Sequence, residues 1–146
     1  MIIINNKSDK EVNSKRNSSY GILENELGQI AVVRHSGWGL IFPGGKIEEN
    51  ESSDDTIIRE TLEEIGHEVS NLKYYDTTES FYDVTVKGEE FYCHNIADFY
   101  TGNILDKIKD PTELDTVLEW YYPADLFNKM KLEFQNIILE KIYNNK

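Results

Sequence analysis

The segment spanning residues 45–68 is the feature that most limits how this chain can fold. It contains nine acidic residues and only two basic ones, so its local charge of −7 is more than half of the total of −12. Ser52 or Ser53 can cap a helix start, two aspartates follow where the helix dipole favours negative charge, and Gly66 is typical of a helix end. The sequence therefore predicts a helix over residues 52–65.

Three carboxylates fall on one face of this predicted helix. Because each helical residue advances by about 100°, Glu63 lies at about −60° and Glu64 at about +40° from Glu60. We expect the opposite side to pack on the core, through its apolar residues Ile58, Leu62 and Ile65. Such a face is either a solvated acidic surface or a site for a hard divalent cation, which prefers carboxylate oxygens.

The spacing of the whole segment favours the cation site. The string GKIEENESSDDTIIRETLEEIGH, residues 45–67, resembles the Nudix box, which is a glycine, five residues, a glutamate, seven residues and then R-E-U-x-E-E-x-G-U, with U a bulky apolar residue. Only Thr61 and His67 depart, since they stand where U residues are usual. All seven fixed positions match: Gly45, Glu51, Arg59, Glu60, Glu63, Glu64 and Gly66.

Flanking residues extend the resemblance from Tyr20 to the end of the chain, through WGLIFPGG before the box and Glu119-Trp120 ahead of a C-terminal helix. Similarity to the MutT-type Nudix hydrolases implies an α/β fold, an α/β/α sandwich with a mixed β-sheet between helices. It also implies a hydrolase that needs Mg²⁺ or Mn²⁺ and cleaves a diphosphate bond in a nucleoside diphosphate linked to another group, by water attack at phosphorus. A (d)NTP or an oxidised dNTP is the default substrate, by analogy alone.

The resemblance also implies roles for individual residues. Glu60, Glu63 and Glu64 would be metal ligands, joined by the backbone carbonyl of Gly44. Arg59 would orient a glutamate of the box through a charge-assisted hydrogen bond, and Glu51 would brace the junction between loop and helix.

The general base varies among members of this family. It would be Glu60 or a carboxylate on a later loop, for which Glu113 is the candidate and Asp115 and Glu90 are rivals. Arg16 and Arg34, two of only three arginines, are candidates to bind the distal phosphate or the base.

Other side chains have simpler interpretations. His35, His67 and His94 show no metal-ligand spacing and are expected to be surface or strand residues. Cys93 is expected to be a buried thiol, and Trp38, Phe81, Tyr82 and Tyr92 either belong to the core or stack on a base.

Apolar runs predict the remaining elements. Tyr20–Leu23 and Gln29–Arg34 favour a hairpin-like pair. Further strands are expected at 73–76, 80–86, 91–100 and 118–122, with a turn at Lys87-Gly88 and a polar loop over 103–116. A helical region is expected from Pro123 onward, with an apolar stripe at Phe134, Ile137, Ile138 and Ile142. Residues 1–18 are expected to be a polar N-terminal arm, loose over 5–18, ahead of one domain over 19–146.

Charge and composition narrow the function further. A net charge of −12 disfavours nucleic-acid binding, so we expect a nucleotide-type small-molecule substrate with a metal ion to screen its charge. The single cysteine excludes an internal disulfide, and no apolar run has membrane-spanning length. A cytoplasmic monomer or homodimer is expected.

Two other classes remain as alternatives. A non-catalytic Nudix-like binding module commonly lacks the carboxylates that this chain retains. An isoprenyl diphosphate isomerase needs a catalytic cysteine, and Cys93 follows the box in a predicted strand.

Overall fold

A computed structural model describes residues 1–36 and 39–144. Gly37 and Trp38 therefore lie outside the described residues, and so does the predicted stacking role of Trp38. The elements in chain order are β1 (Ile2–Ile3), β2 (Ser14–Glu24), β3 (Ile30–His35), β4 (Gly39–Ile41), β5 (Gly44–Lys46), α1 (Ser53–Ile65), β6 (His67–Val86), β7 (Glu89–Lys107), β8 (Thr116–Tyr121), α2 (Pro123–Leu126) and α3 (Glu133–Asn144).

The strands form one mixed sheet in the order β1-β6-β7-β2-β3-β4, with β5 added beside β2 and β8 beside β3. The β1/β6 and β2/β7 pairs are parallel and the others are antiparallel. Side chains alternate between the two faces of a strand, so each face of this sheet builds its own core.

Each face of the sheet is covered by a helix. One apolar cluster joins Tyr20 and Phe99 of the sheet to Phe134 and Ile138 of α3. The other joins Leu23, Val33 and Ile104 to Ile65 of α1. This arrangement confirms the predicted α/β/α sandwich with a mixed sheet. None of the described helices has the length and apolar character needed to cross a membrane.

The β6 and β7 strands form a single long hairpin, turning at Lys87 and Gly88, both with positive φ, as predicted. The prediction of separate strands at 73–76 and 80–86 was wrong, because β6 runs unbroken past three register shifts. The predicted loop over 103–116 was also wrong at its start. Residues 103–107 belong to β7, where their backbone pairs with β6 even though most of the side chains are exposed.

The N-terminal segment is more ordered than a loose arm. Ile2 and Ile3 form β1 against β6, and Ser14 to Ser18 lie in β2, paired with β7 and, at Ser18, with β5. The expectation of a loose arm was therefore wrong for residues 14–18. Their polar side chains gave no strand pattern, and the pairing comes from β7, far away in the sequence.

Helix α1 begins and ends as its sequence predicts. Ser52 is the N-cap, with a capping box to Asp55, and Gly66 ends the helix with φ of 74°. The predicted core face was confirmed at Ile65, which is buried, but it was wrong at Ile58. Ile58 is 41% exposed, whereas Ile57, Thr61 and Glu64 are buried. The helix turns its acidic side toward the sheet because glycines leave room there, and a Cβ on Gly45 would lie 2.9 Å from Glu60 Oε1.

The C-terminal region contains two helices rather than one. After the short α2, residues 127–132 leave the helix, and Lys131 N–H donates to Leu40 O at 2.8 Å. Phe134, Ile138 and Leu139 of α3 then pack on the sheet.

Candidate active site

Glu64 is the most buried carboxylate of the predicted face, with only 3% of the residue exposed. Its Oε1 accepts a hydrogen bond from Gly44 N–H at 3.1 Å. Gly44 has φ of 145°, and a Cβ there would lie 2.1 Å from Ser19 O. Only glycine fits at this position, so the backbone amide is held against the carboxylate.

Two further carboxylates converge on Glu64. One ligand oxygen from each of Glu60, Glu64 and Glu113 lies within 4.8 Å of the other two. Glu60 and Glu64 lie on adjacent turns of α1, and Glu113 lies in the loop between β7 and β8. Three oxygens at this spacing can surround one hard cation such as Mg²⁺.

Helix α1 itself brings Glu113 to the cluster. The last carbonyls of a helix lack partners within the helix and must find them elsewhere. Glu63 O accepts from the N–H groups of Thr112 and Glu113 at 2.9 and 3.1 Å, and Glu64 O accepts from Thr116 Oγ1 at 2.8 Å. The loop that satisfies these carbonyls therefore places the Glu113 side chain beside Glu60 and Glu64.

Arg59 organises the other side of the cluster. Its guanidinium makes two hydrogen bonds to Glu51, from Nε at 2.7 Å and from Nη2 at 3.0 Å. Nη1 donates to Glu60 at 3.0 Å and to Glu63 at 3.2 Å. Such a fork fixes the direction of both the arginine and the carboxylates that it meets.

Glu51 ties the loop before α1 to the helix. Its carboxylate accepts from Glu48 N–H at 3.1 Å and from Thr56 Oγ1 at 2.7 Å. The bond to the Arg59 guanidinium holds the pKa of this carboxyl well below its usual range, at about 2. Glu51 lies in a bracing position rather than among the three convergent carboxylates.

Burial and neighbouring like charges oppose full ionisation of Glu60 and Glu64. Burial raises the pKa of Glu64 to about 7, and the neighbouring carboxylates Glu60 and Glu113 contribute in the same direction. Burial also raises the pKa of Glu60, against the opposing effect of Arg59. A divalent cation would relieve both effects, because it supplies the missing positive charge.

The structure separates the predicted site residues into those near the cluster and those elsewhere. Glu63 is on the predicted face, but its carboxylate meets Arg59 rather than the three convergent oxygens. The rivals of Glu113 are exposed. Glu90 lies near the turn of the β6–β7 hairpin, and the backbone carbonyl of Asp115 accepts a bond from Ser36 N–H.

The two candidate arginines have other neighbours. Arg34 forms an ion pair with Glu119 across the β3–β8 pair, where Tyr121 also donates to Glu119. Arg16 lies in β2 opposite Asn95 of β7, close to the hydroxyls of Tyr20 and Tyr82.

Sequence reasoning missed His35. Its Nε2 lies 3.7 Å from Glu64 Oε2, and this carboxylate raises the pKa of the imidazole. The two lie 29 positions apart in the chain, so no local spacing could have revealed the contact. The other histidines are strand residues as predicted, His67 meeting Leu105 O and His94 meeting Glu79. Cys93 is buried on the α3 side, away from the cluster on α1.

Comparisons with known proteins agree with the fold and the motif. A family model of the NUDIX domain matches residues 15–142. An 8-oxo-dGTP diphosphatase of Proteus vulgaris is 39% identical over 51 residues, which are 35% of this chain and 46% of that protein. One from Haemophilus influenzae is 32% identical over 80 residues, 51% of this chain and 59% of that protein. The chain thus spans about half the length of these relatives.

Solved structures match over nearly the whole chain. A MutT structure from work on the Aliivibrio salmonicida and Vibrio cholerae proteins superposes with a TM-score of 0.67 at 20% identity, covering 91% of this chain and 100% of that one. A NUDIX hydrolase from Nitrosomonas europaea gives 0.68 at 17% identity, covering 91% of each chain. At this identity the likeness establishes the fold.

Proposed function

The chain belongs to the NUDIX family, and from this premise we propose that it is a divalent-metal-dependent pyrophosphohydrolase of the MutT type. It cleaves a diphosphate bond in a nucleoside diphosphate linked to another group, with water attacking phosphorus. The observation that carries this proposal is the convergence of Glu60, Glu64 and Glu113 from a helix and a distant loop.

The donor set fits a Mg²⁺ or Mn²⁺ ion. It consists of carboxylate oxygens, which hard cations prefer, and burial raises the pKa of Glu64, so a cation beside this carboxylate would favour its charged form. In this proposal Glu60, Glu63 and Glu64 would hold the ion together with the carbonyl of Gly44, and the Glu113 carboxylate would face it from the loop between β7 and β8. The metal would neutralise phosphate charge and favour deprotonation of the attacking water.

The side chains of this chain would orient the metal ligands, accept the proton of the attacking water and bind the substrate. Gly44 N–H fixes Glu64, and Arg59 fixes Glu60. No hydrogen bond to the Glu113 carboxylate is found within the described ranges, so this group is free to accept a proton from water. We therefore assign the general base to Glu113, with Glu60 as the competing position. Arg16 and Arg34 are assigned to substrate binding.

The substrate is inferred from the named relatives. Two of them are 8-oxo-dGTP diphosphatases, which points to purine deoxynucleoside triphosphates, including oxidised ones. A metal ion is needed for such a ligand, because a polyphosphate would otherwise be repelled by a protein of net charge −12.

The proposal is tested by incubating the protein with 8-oxo-dGTP and the four dNTPs in H₂¹⁸O, with Mg²⁺, Mn²⁺ or EDTA. Phosphorus NMR should show a monophosphate and pyrophosphate with either metal, and the ¹⁸O label identifies the phosphorus that is attacked. EDTA and the Glu64→Gln variant should each abolish turnover, whereas the exposed Glu90→Gln should keep it. Hydrolysis that survives EDTA, or no hydrolysis of any nucleotide, would overturn the proposal.

A further inference from the structure

A wide groove of about 840 Å³ lies on the α1 side of the sheet, beside the residues that follow the end of α1. Ile104 and Trp120 line it, and both pack in the apolar cluster that contains Ile65 of α1. The ring of His67, which also lines the groove, meets the ring of Trp120 edge-on, with the centroids 6.3 Å apart. The floor of this groove is therefore an apolar and aromatic surface that α1 leaves open.

Exposed apolar residues gather around the same groove. Leu27, in the turn between β2 and β3, is 70% exposed, and Leu105 and Ile108 at the end of β7 are also exposed. All three line the groove. Single exposed apolar residues are ordinary on a protein surface, but a group of them around one concave surface marks an interaction site. An occupant that covers them would be stabilised by the burial of apolar surface.

The rim of the groove is acidic. Glu26 of the turn between β2 and β3, Glu68 of β6 and Asp106 of β7 are exposed and line it. In the described part of the chain, none of these three carboxylates forms an ion pair. Lys107 is the one basic residue among the described residues of the lining, and it is paired with Asp110 at 3.4 Å. The groove therefore favours a cationic occupant.

Charge and apolar surface together select the kind of occupant. A second copy of this chain would bring a net charge of −12 toward an acidic rim, and a nucleotide would bring phosphates. A small polyamine would match the carboxylates but would leave Leu27 and Leu105 uncovered. A protein segment that carries an apolar side chain between lysines or arginines complements both the rim and the floor.

We propose that this groove is a docking site for a basic segment of a partner protein. An apolar side chain of the segment packs against Trp120 and Leu27, and its flanking cations meet Glu68 and Asp106. The area of such a contact is small, so the complex is weak and reversible.

The docking site is separate from the candidate active site. None of Glu60, Glu64 and Glu113 lines the groove. A partner can therefore dock while the carboxylate cluster stays open to substrate, and the inference does not depend on the proposed function.

The test uses the whole chain and three fluorescein-labelled peptides. The peptide KKLLKK places leucines between lysines, KKSSKK keeps the charge without the apolar side chains, and EELLEE reverses the charge. Fluorescence anisotropy measures affinity, and the NMR signal of the Trp120 indole N–H reports contact with the floor of the groove. We expect KKLLKK to bind about 10-fold more tightly than either other peptide, to shift the Trp120 signal, and to bind more weakly at high salt.

Two variants of the groove are compared with two matched controls. Leu27→Ser should weaken the binding of KKLLKK by about 5-fold through loss of apolar contact, and Glu68→Gln should weaken it by about 2- to 5-fold, as for an exposed ion pair. Val86→Ser and Glu90→Gln change exposed residues of the β6–β7 hairpin that do not line the groove, so they should keep the wild-type affinity. All four positions are exposed, and thermal melts should show an unchanged fold.

Several results would overturn the docking site. They are equal binding of KKSSKK and KKLLKK, wild-type affinity in both groove variants, or an unmoved Trp120 signal. Displacement of KKLLKK by spermine that is as tight in Leu27→Ser as in the wild type would assign the groove to a small cation instead. A dimer in sedimentation that Leu27→Ser converts to a monomer would make it a contact between copies.

Nucleotide hydrolysis separates this inference from the proposed function. Leu27→Ser and Glu68→Gln should keep the wild-type kcat, because both residues lie outside the carboxylate cluster. Loss of peptide binding with normal hydrolysis supports the docking site, whereas a loss of hydrolysis in these variants would contradict its separation from the active site.

Discussion

Replacing Glu64 by glutamine should make the protein more stable and at the same time inactive. Glu64 is 3% exposed, and burial raises its pKa to about 7. The folded state therefore binds a proton more tightly than the unfolded state does. Without metal, stability should fall as pH rises from about 4.5 through 7, because the unfolded chain loses this proton first.

The magnitude follows from the size of the shift. A rise in the pKa of Glu64 from 4.5 to about 7 lowers the free energy of unfolding above pH 7 by about 3 kcal/mol. Glutamine removes this penalty and can still accept the hydrogen bond from Gly44 N–H. Glu64→Gln in EDTA at pH 8 should therefore raise Tm by about 6–12 °C. Most of that gain should disappear at pH 5, where the folded wild type already holds the proton.

Activity should change in the opposite sense. The variant removes a charge from the proposed metal site, so kcat at saturating Mg²⁺ should fall by about 10³-fold, which corresponds to about 4 kcal/mol of transition-state stabilisation. Mg²⁺ should raise the Tm of the wild type at pH 8 but not that of the variant.

Glu51→Gln is the matched control, because it changes an acid of the same motif that lies outside the convergent cluster. It weakens two charge-assisted bonds to Arg59, so it should lower stability by about 2 kcal/mol and reduce kcat less than Glu64→Gln does. Thermal melts at pH 5 and 8 with EDTA or Mg²⁺, together with kcat, measure all of these effects. The reasoning is refuted if Glu64→Gln is less stable than wild type at pH 8 in EDTA, or if Glu51→Gln is the slower enzyme.

Three further predictions test the elements that build the site. Gly44→Ala should lower the free energy of unfolding, measured by chemical denaturation, by about 3–5 kcal/mol, because its Cβ would lie 2.1 Å from a backbone oxygen. Gly88→Ala has open space around it and should lower the free energy of unfolding by about 1 kcal/mol. Ser52→Ala should lower stability by about 1 kcal/mol by removing the N-cap of α1, with kcat unchanged; a large loss of kcat would contradict a purely capping role. Glu113→Gln should lower kcat by about 10²-fold or more and flatten the acidic limb of the pH–rate profile. The control Asp115→Asn, at an exposed residue, should keep the wild-type kcat and the wild-type profile. An unchanged profile in Glu113→Gln would assign the base to another group.

The sequence by itself determined the parts of the site that depend on near neighbours. Residues three and four apart share a helix face, so Glu60, Glu63 and Glu64 could be placed together before any fold was known. Caps are also local, and Ser52 and Gly66 bound α1 as their types predict. The α/β/α architecture followed from the order of strands and helices and from the resemblance of the box.

Only the tertiary structure decided which side of α1 is buried. Apolar periodicity placed Ile58, Leu62 and Ile65 on the core, and Ile65 is buried as expected. Ile58 is exposed instead, because the glycines of β5 open a space that the acidic side fills, and Glu64 is buried there. The proximity of His35 and Glu113 to Glu64 depends on β3 and on the loop that caps α1, which meet only in the folded chain.

The pairing of β2 with β7 has the same origin. Arg16 and Asn95 are 79 positions apart, and Ser18 lay in a stretch whose polar side chains predicted no strand. Their alignment depends on the parallel register of β2 and β7, which is a long-range pairing that no local pattern encodes. Local chemistry fixed the helix and its carboxylates, while packing between distant strands fixed which of those groups are buried and what lies beside them.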